Sequence, residues 1–119
     1  MKPKDELGRR GEERAAEHLA ASGFRVVERN WRCTVGEIDI VAYDGPHLVV
    51  VEVKTRTTDA FGHPFEAISP AKLTRLHVLA AEWLAQHDGP RPRSWRVDVV
   101  GILWPHDGEP VIEHLREVG

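Results

Sequence analysis

Residues 36–56 read Gly36-Glu37-Ile38-Asp39-Ile40-Val41-Ala42-Tyr43-Asp44-Gly45-Pro46-His47-Leu48-Val49-Val50-Val51-Glu52-Val53-Lys54-Thr55-Arg56. Two runs rich in Ile and Val, 37–43 and 48–54, flank a turn cluster at 44–47, which is the pattern of two adjacent strands. Side chains on a strand alternate faces, so Glu37 shares a face with Asp39, and Glu52 shares one with Lys54. Ile38, Ile40, Val51 and Val53 take the opposite faces and are natural core. Loop length decides whether the charged faces coincide. A four-residue loop over 44–47 sets Tyr43 opposite Leu48, hence Asp39 opposite Glu52 and Glu37 opposite Lys54, and a two-residue loop keeps the same faces. A three-residue loop would set Asp39 opposite Val51 and divide the charges. The favoured parity gathers three carboxylates and one ammonium on one side of a hairpin.

Such a gathering has a cost. Directly opposed residues lie ~4.5–5.5 Å apart at Cβ, and two carboxylates at ~4 Å repel by about 4 kcal/mol at an effective dielectric near 20. A domain with a net stability of about 5–15 kcal/mol has to offset that repulsion. Lys54 does so in part. A divalent cation does more, and Mg²⁺ is commonly held by one or two carboxylates with waters and substrate phosphate. Asp39 and Glu52 are therefore candidate ligands, with the backbone carbonyl of Val53 as a further one.

Upstream, residues 5–22 read as a helix, capped by Asp5 and ended by Gly23, with Ala15, Ala16, Leu19 and Ala20 as its apolar stripe. Extended backwards, the stripe reaches Glu12, while Glu13, Arg14 and Glu17 fall on the solvated face. A glutamate turned inward needs a partner, and a metal or metal-bound water over the hairpin supplies one. Gly8 and Gly11 allow a close approach of this helix to the sheet. Residues 24–30 read as a strand.

Downstream, 55–69 reads as a loop. A second helix runs from about Pro70 to Gln86, capped by Ser69, with Leu73, Leu76, Ala80 and Leu84 buried and Trp83 beside them. Ser94 to Leu103 is a strand, and Pro110 to Val118 is a final edge strand. The order predicts a mixed sheet flanked by helices. Within the fourth strand Asp98 has two readings, a place near the site or a structural salt bridge to an arginine.

The 119 residues fit one domain, 1–119. A hydrophobic share of 41% and a charged share of 29% are those of a folded chain. The apolar runs are too short to span a bilayer, so no membrane partner is expected, and the polar Met1-Lys2-Pro3-Lys4 start lacks the pattern of a signal peptide. The lone Cys33 permits no internal disulfide, which points to a reducing, cytoplasmic setting. A net charge of −3 argues against a protein coated in nucleic acid while allowing a local basic patch. The seven histidines have no zinc-ligand spacing.

A Glu-x-Lys on a strand is by itself usually a solvated face; the combination is what carries weight. Gly8-x-x-Gly11-Glu12-x-x-Ala15, Gly36-Glu37-Ile38-Asp39 and Val51-Glu52-Val53-Lys54-Thr55-Arg56 together resemble the YraN-type family of predicted endonucleases. Asn30-x-Arg32, Phe61-Gly62, Lys72 and the strand around Asp98 match as well, so that the resemblance spans residues 8 to 102. That family resembles archaeal Holliday junction resolvases within the PD-(D/E)xK nucleases. The resemblance implies a restriction-endonuclease-like αβββαβ core. It makes Asp39 the motif aspartate, Glu52 and Lys54 the (D/E)xK pair, and Glu12 the acid of the first helix.

The expected activity is metal-dependent hydrolysis of phosphodiester bonds in DNA, with branched recombination or repair intermediates among the candidate substrates and Mg²⁺ or Mn²⁺ on Asp39, Glu52, Val53 and Glu12. Lys54 would orient water or stabilise transition-state charge. Glu37 is a secondary candidate as partner of Lys54. Arg56, Lys72 and Arg75 are candidate phosphate contacts, although Arg75 reads equally well as an ordinary solvated charge. The alternative is a non-catalytic DNA-binding adaptor in recombination or DNA uptake. A third reading puts Trp31, Trp95 and Trp104 at strand edges in a homodimer, where core packing explains them equally well.

Overall fold

The computed structural model describes residues 5–60 and 62–118, apart from the side chain of Ala67. Residues 1–4 of the polar N-terminal stretch, and Phe61 of the Phe61-Gly62 match, lie outside the described residues. The elements are α1 (Glu6–Ala21), β1 (Arg25–Arg32), β2 (Glu37–Asp44), β3 (His47–Arg56), a 3₁₀ turn (Pro64–Ala67), α2 (Pro70–Gln86), β4 (Ser94–Leu103) and β5 (Val111–Leu115). One sheet runs in the order β1-β2-β3-β4-β5. Only β3 and β4 are parallel; the other neighbours are antiparallel. This is the mixed sheet predicted, an αβββαβ core closed by an edge strand.

Local chemistry sets the boundaries. Oδ1 of Asp5 accepts the Gly8 N–H at 2.7 Å, and the hydroxyl of Ser69 accepts the Lys72 N–H at 3.1 Å, so each helix starts on a side-chain cap. The β2–β3 turn is tighter than 44–47, because Asp44 pairs with His47 and leaves only Gly45 and Pro46 in the bend. Gly45 takes φ +58°, the conformation a two-residue hairpin asks of its first turn residue. Tyr43 faces Leu48 as predicted.

Alternate residues of β3 feed two cores, one on each face. Leu48 and Val50 pack with Leu76, Leu79 and Ala80 of α2. Val49 and Val51 pack with Ala15 and Leu19 of α1. Some of the expected stripe moves outward: Ala20 is exposed and Leu73 and Leu84 are only half-buried, whereas Leu79 and Trp83 are buried. Trp83 tolerates burial because its indole N–H donates to Oε1 of Glu28 at 3.0 Å. Trp31 belongs to the α2-side core and Trp104 packs against the α1-side core, so of the three candidate dimer aromatics only Trp95 is exposed.

Strict alternation predicts Ile38 and Ile40 on one face, and here the structure differs. Ile38 joins the α2-side core and Ile40 the α1-side core. The break is matched in β1, where Asn30, between the Arg29–Ile40 and Trp31–Ile38 pairs, adopts φ +54°. Before it, Arg29 reaches Glu13 of α1 at 2.8 Å; after it, Trp31 faces Ile38 in the other core.

Asp98 resolves as a salt bridge. Its carboxylate is fully buried and takes Nε of Arg96 at 2.9 Å, Nε2 of His114 at 2.8 Å and the Glu117 N–H at 3.0 Å. Burial alone would raise its pKa, but the bonds from His114, Arg96 and Glu117 outweigh it and hold the carboxyl below its usual range. Asp98 sits opposite Val51 in the register, on the α1 face of the sheet. Asp98→Ala leaves Arg96 and His114 without this anion and is expected to cost about 3 kcal/mol or more in a urea unfolding measurement.

Candidate functional site

The β2–β3 ladder ends at the Ile40–Val51 pair, while β2 continues beside β1 as far as Glu37. The sheet forks at that point. Beyond the fork the Val53 N–H donates to Oδ2 of Asp39 at 2.9 Å, so a side-chain carboxylate occupies the place of a strand carbonyl. Glu52 stands next in line, with the parity of Leu48 and Val50, and therefore faces α2. Asp39 and Glu52 are each 6% exposed, and Glu12 is 2% exposed.

These acids open on a cleft of about 460 Å³. Of the residues singled out in the sequence, the cleft brings together Glu12, Glu37, Asp39, Glu52, Val53, Lys54, Lys72 and Arg75. Arg56, half-buried at the end of β3, is not part of its wall. The first turns of both helices reach it, through Gly8 of α1 and Lys72 of α2. Glu37 is not the cross-strand partner of Lys54, because the fork ends the register before that pair forms. It pairs with Arg32 of β1, whose Nε lies 3.7 Å from its Oε2.

Gly11 brings Glu12 to the cleft. A Cβ on Gly11 would sit 2.9 Å from Cβ of Thr55 and would overlap its hydroxyl, so only glycine lets α1 lie this close to β3. Glu12 follows directly, and its buried position depends on that approach.

Burial raises the pKa of Glu52 to about 7, reinforced by the Asp39 charge and opposed by Lys72. The Lys72 ammonium forms an ion pair with Oε2 of Glu52. Sequence spacing points Lys72 to phosphate and does not reveal this pair. The signal available was Ser69: as the cap of α2 it fixes Lys72 in the first turn, over the end of β3. Lys54, by contrast, makes no ion pair among the described residues.

The donor set suits a hard divalent cation. It consists of two buried carboxylates on neighbouring strands, with the Val53 carbonyl directly after Glu52 in sequence and Glu12 on the same cleft. Among the described residues no three His, Cys, Asp or Glu side chains form a ready cage. A dedicated cage is not what Mg²⁺ requires, because it keeps several waters and takes one or two carboxylates.

Two outcomes test this geometry. Gly11→Ala should lower stability by about 1–3 kcal/mol through overpacking against Thr55, read as a fall in urea midpoint. Glu52→Gln tests the raised pKa in metal-free buffer. A carboxyl whose folded pKa lies above its unfolded value of 4.5 stabilises the fold fully below that value and loses the contribution as pH rises through about 7. The melting temperature of Glu52→Gln relative to the parent should therefore climb between those pH values, by up to about 3 kcal/mol in equivalent stability.

Comparison with known proteins places the chain in a group. The profile of the Uncharacterised protein family UPF0102 matches residues 11–102. A UPF0102 protein of Arthrobacter sp. (strain FB24) is 58% identical over 119 residues, covering all of both chains. A UPF0102 protein of Streptomyces griseus is 53% identical over 118 residues, 99% of each chain, and one of Clavibacter michiganensis is 51% identical over 116 residues, 98% of each. None of the described helices is long and apolar enough to cross a membrane. With most of its length matched and relatives this similar from end to end, the chain belongs to the uncharacterised protein family UPF0102.

Proposed function

We propose that the chain is a metal-dependent endonuclease that hydrolyses phosphodiester bonds in DNA, with branched recombination or repair intermediates as the substrate class. The observation that carries this reading is the pair Asp39 and Glu52, buried side by side at a fork in the sheet, with the ammonium of Lys54, which has no ion pair among the described residues, on the same cleft. Asp39, Glu52, the Val53 carbonyl and Glu12 would hold Mg²⁺ or Mn²⁺. When bound, the ion supplies Lewis-acid polarisation of the phosphoryl oxygen and lowers the pKa of the attacking water.

The protein's own groups do the rest. Lys54 lines the cleft with no ion pair among the described residues, which suits a contact with the scissile phosphate or with the water in line with it. Arg75 lines the same cleft, exposed and with no ion pair among the described residues, which leaves it available to a backbone phosphate. Arg56 stands outside the cleft wall, half-buried at the end of β3. Water adds to phosphorus and one ester P–O bond breaks, leaving a phosphate on one strand end and a hydroxyl on the other.

A non-catalytic DNA-binding adaptor is the second reading. It is favoured by the ion pair between Lys72 and Glu52, which neutralises one of the acids without any ion. A panel of linear, nicked, single-stranded and branched DNA, with Mg²⁺ and with Mn²⁺, separates the two. The nuclease reading expects cleavage that falls by about a hundredfold or more in Asp39→Ala and Lys54→Ala. Cleavage that survives both changes refutes the roles given to these residues, and tight DNA binding without cleavage under either metal supports the adaptor.

A further inference from the structure

The cleft carries two lysines in different states. Lys54 on β3 makes no ion pair among the described residues, whereas the ammonium of Lys72, delivered by the first turn of α2, rests on Oε2 of Glu52. Glu52 is almost fully buried, yet Lys72 remains 39% exposed in its side chain. One partner is fixed in the sheet. The other hangs from a flexible four-carbon stem that reaches solvent. A strongly hydrated point charge on such a stem can leave its anion at little conformational cost.

From this asymmetry we infer that Lys72 is an exchangeable counter-cation for Glu52: it neutralises the acid while the site is empty and is displaced when a divalent cation binds. The inference rests on the metal-site reading of Asp39 and Glu52 and adds a competition to it. An ammonium and a divalent ion cannot both occupy the near side of the same carboxylate oxygen. The ion therefore binds against the Lys72 contact, and binding sets the ammonium free. Once released, Lys72 lies on the wall that also carries Lys54 and Arg75, so a third cation becomes available to phosphate only after the metal has arrived. Metal first and nucleic acid second is the order this favours.

The test is divalent-ion binding measured without turnover. Isothermal titration of the full chain with Mn²⁺ at mildly alkaline pH compares the parent, Lys72→Met and Lys54→Met. Methionine keeps most of each stem and removes the charge. Lys72→Met is expected to bind Mn²⁺ roughly tenfold more tightly than the parent, equivalent to about 1.4 kcal/mol. Lys54→Met, which deletes the same charge from the same cleft without touching Glu52, should gain much less. A second arm measures oligonucleotide binding by anisotropy with and without Ca²⁺. The increase in affinity on adding Ca²⁺ should be smaller in Lys72→Met than in the parent.

Equal Mn²⁺ affinity in the parent and Lys72→Met overturns the competition and leaves the metal site standing. An equal gain in both variants overturns it too, because the effect would then be one of general charge. If neither the parent nor Lys72→Met binds Mn²⁺, the exchange and the metal reading fail together. Tighter Mn²⁺ binding by Lys72→Met, in a protein that cuts no DNA, supports the exchange while refuting the nuclease. Melting curves in chelator report whether each variant is folded before titration.

Discussion

The structure depends on how one backbone donor is satisfied where two strands part. When β2 leaves β3 after the Ile40–Val51 pair, the Val53 N–H loses the neighbour that a continued ladder would provide, and the carboxylate of Asp39 takes that place. A buried N–H without a partner would be costly. Asp39 is thus a structural member of the sheet as well as a candidate ligand, and its position is fixed by the same bond that closes the fork. Glu52, on the residue before that N–H, is fixed with it. The approach of α1 through Gly11 and the placement of Lys72 by the Ser69 cap are then built around two carboxylates whose positions are already set.

The two buried acids of β3 and β4 show how differently one sheet can hold a carboxylate. Asp98 is enclosed by Arg96, His114 and the Glu117 amide, and its charge is held so well that its pKa falls. Glu52 has one lysine and an adjacent like charge, and its pKa rises to about 7. They lie on opposite faces of one sheet, at adjoining strands. A carboxylate saturated by donors inside the protein has little left to offer an ion. One that remains strained in its charged form is where a cation from solution gains most.

Much of this was readable in the residues. Hydrophobic periodicity and caps located both helices, and the parity of the 36–56 stretch predicted that Tyr43 would face Leu48. What the sequence left hidden followed from backbone deviations without a strong signature. The separation of Ile38 from Ile40, which alternation alone puts together, accompanies a positive φ at Asn30 on the paired strand. The early end of the β2–β3 ladder moved Glu37 to Arg32 and away from the register with Lys54. A side chain reaching between elements, as Lys72 does to Glu52, needs the crossing of helix over strand in three dimensions, and local spacing does not encode it. The role of Asp98 was open for the same reason: Arg96 lay two residues away, but His114 and Glu117 came from the chain's far end.

The parallel pairing of β3 with β4 has a kinetic corollary. These strands meet only after the whole crossover through α2 has been closed, whereas β2 and β3 are joined by a two-residue bend. Low sequence separation favours early formation of the bend, and long-range pairing comes later. A β2–β3 hairpin formed ahead of α2 would bring Asp39 and Glu52 near each other before Lys72 has docked. In such a hairpin their mutual repulsion would have no counter-ion from Lys72, and ionic strength would act on the speed with which the chain reaches its native state.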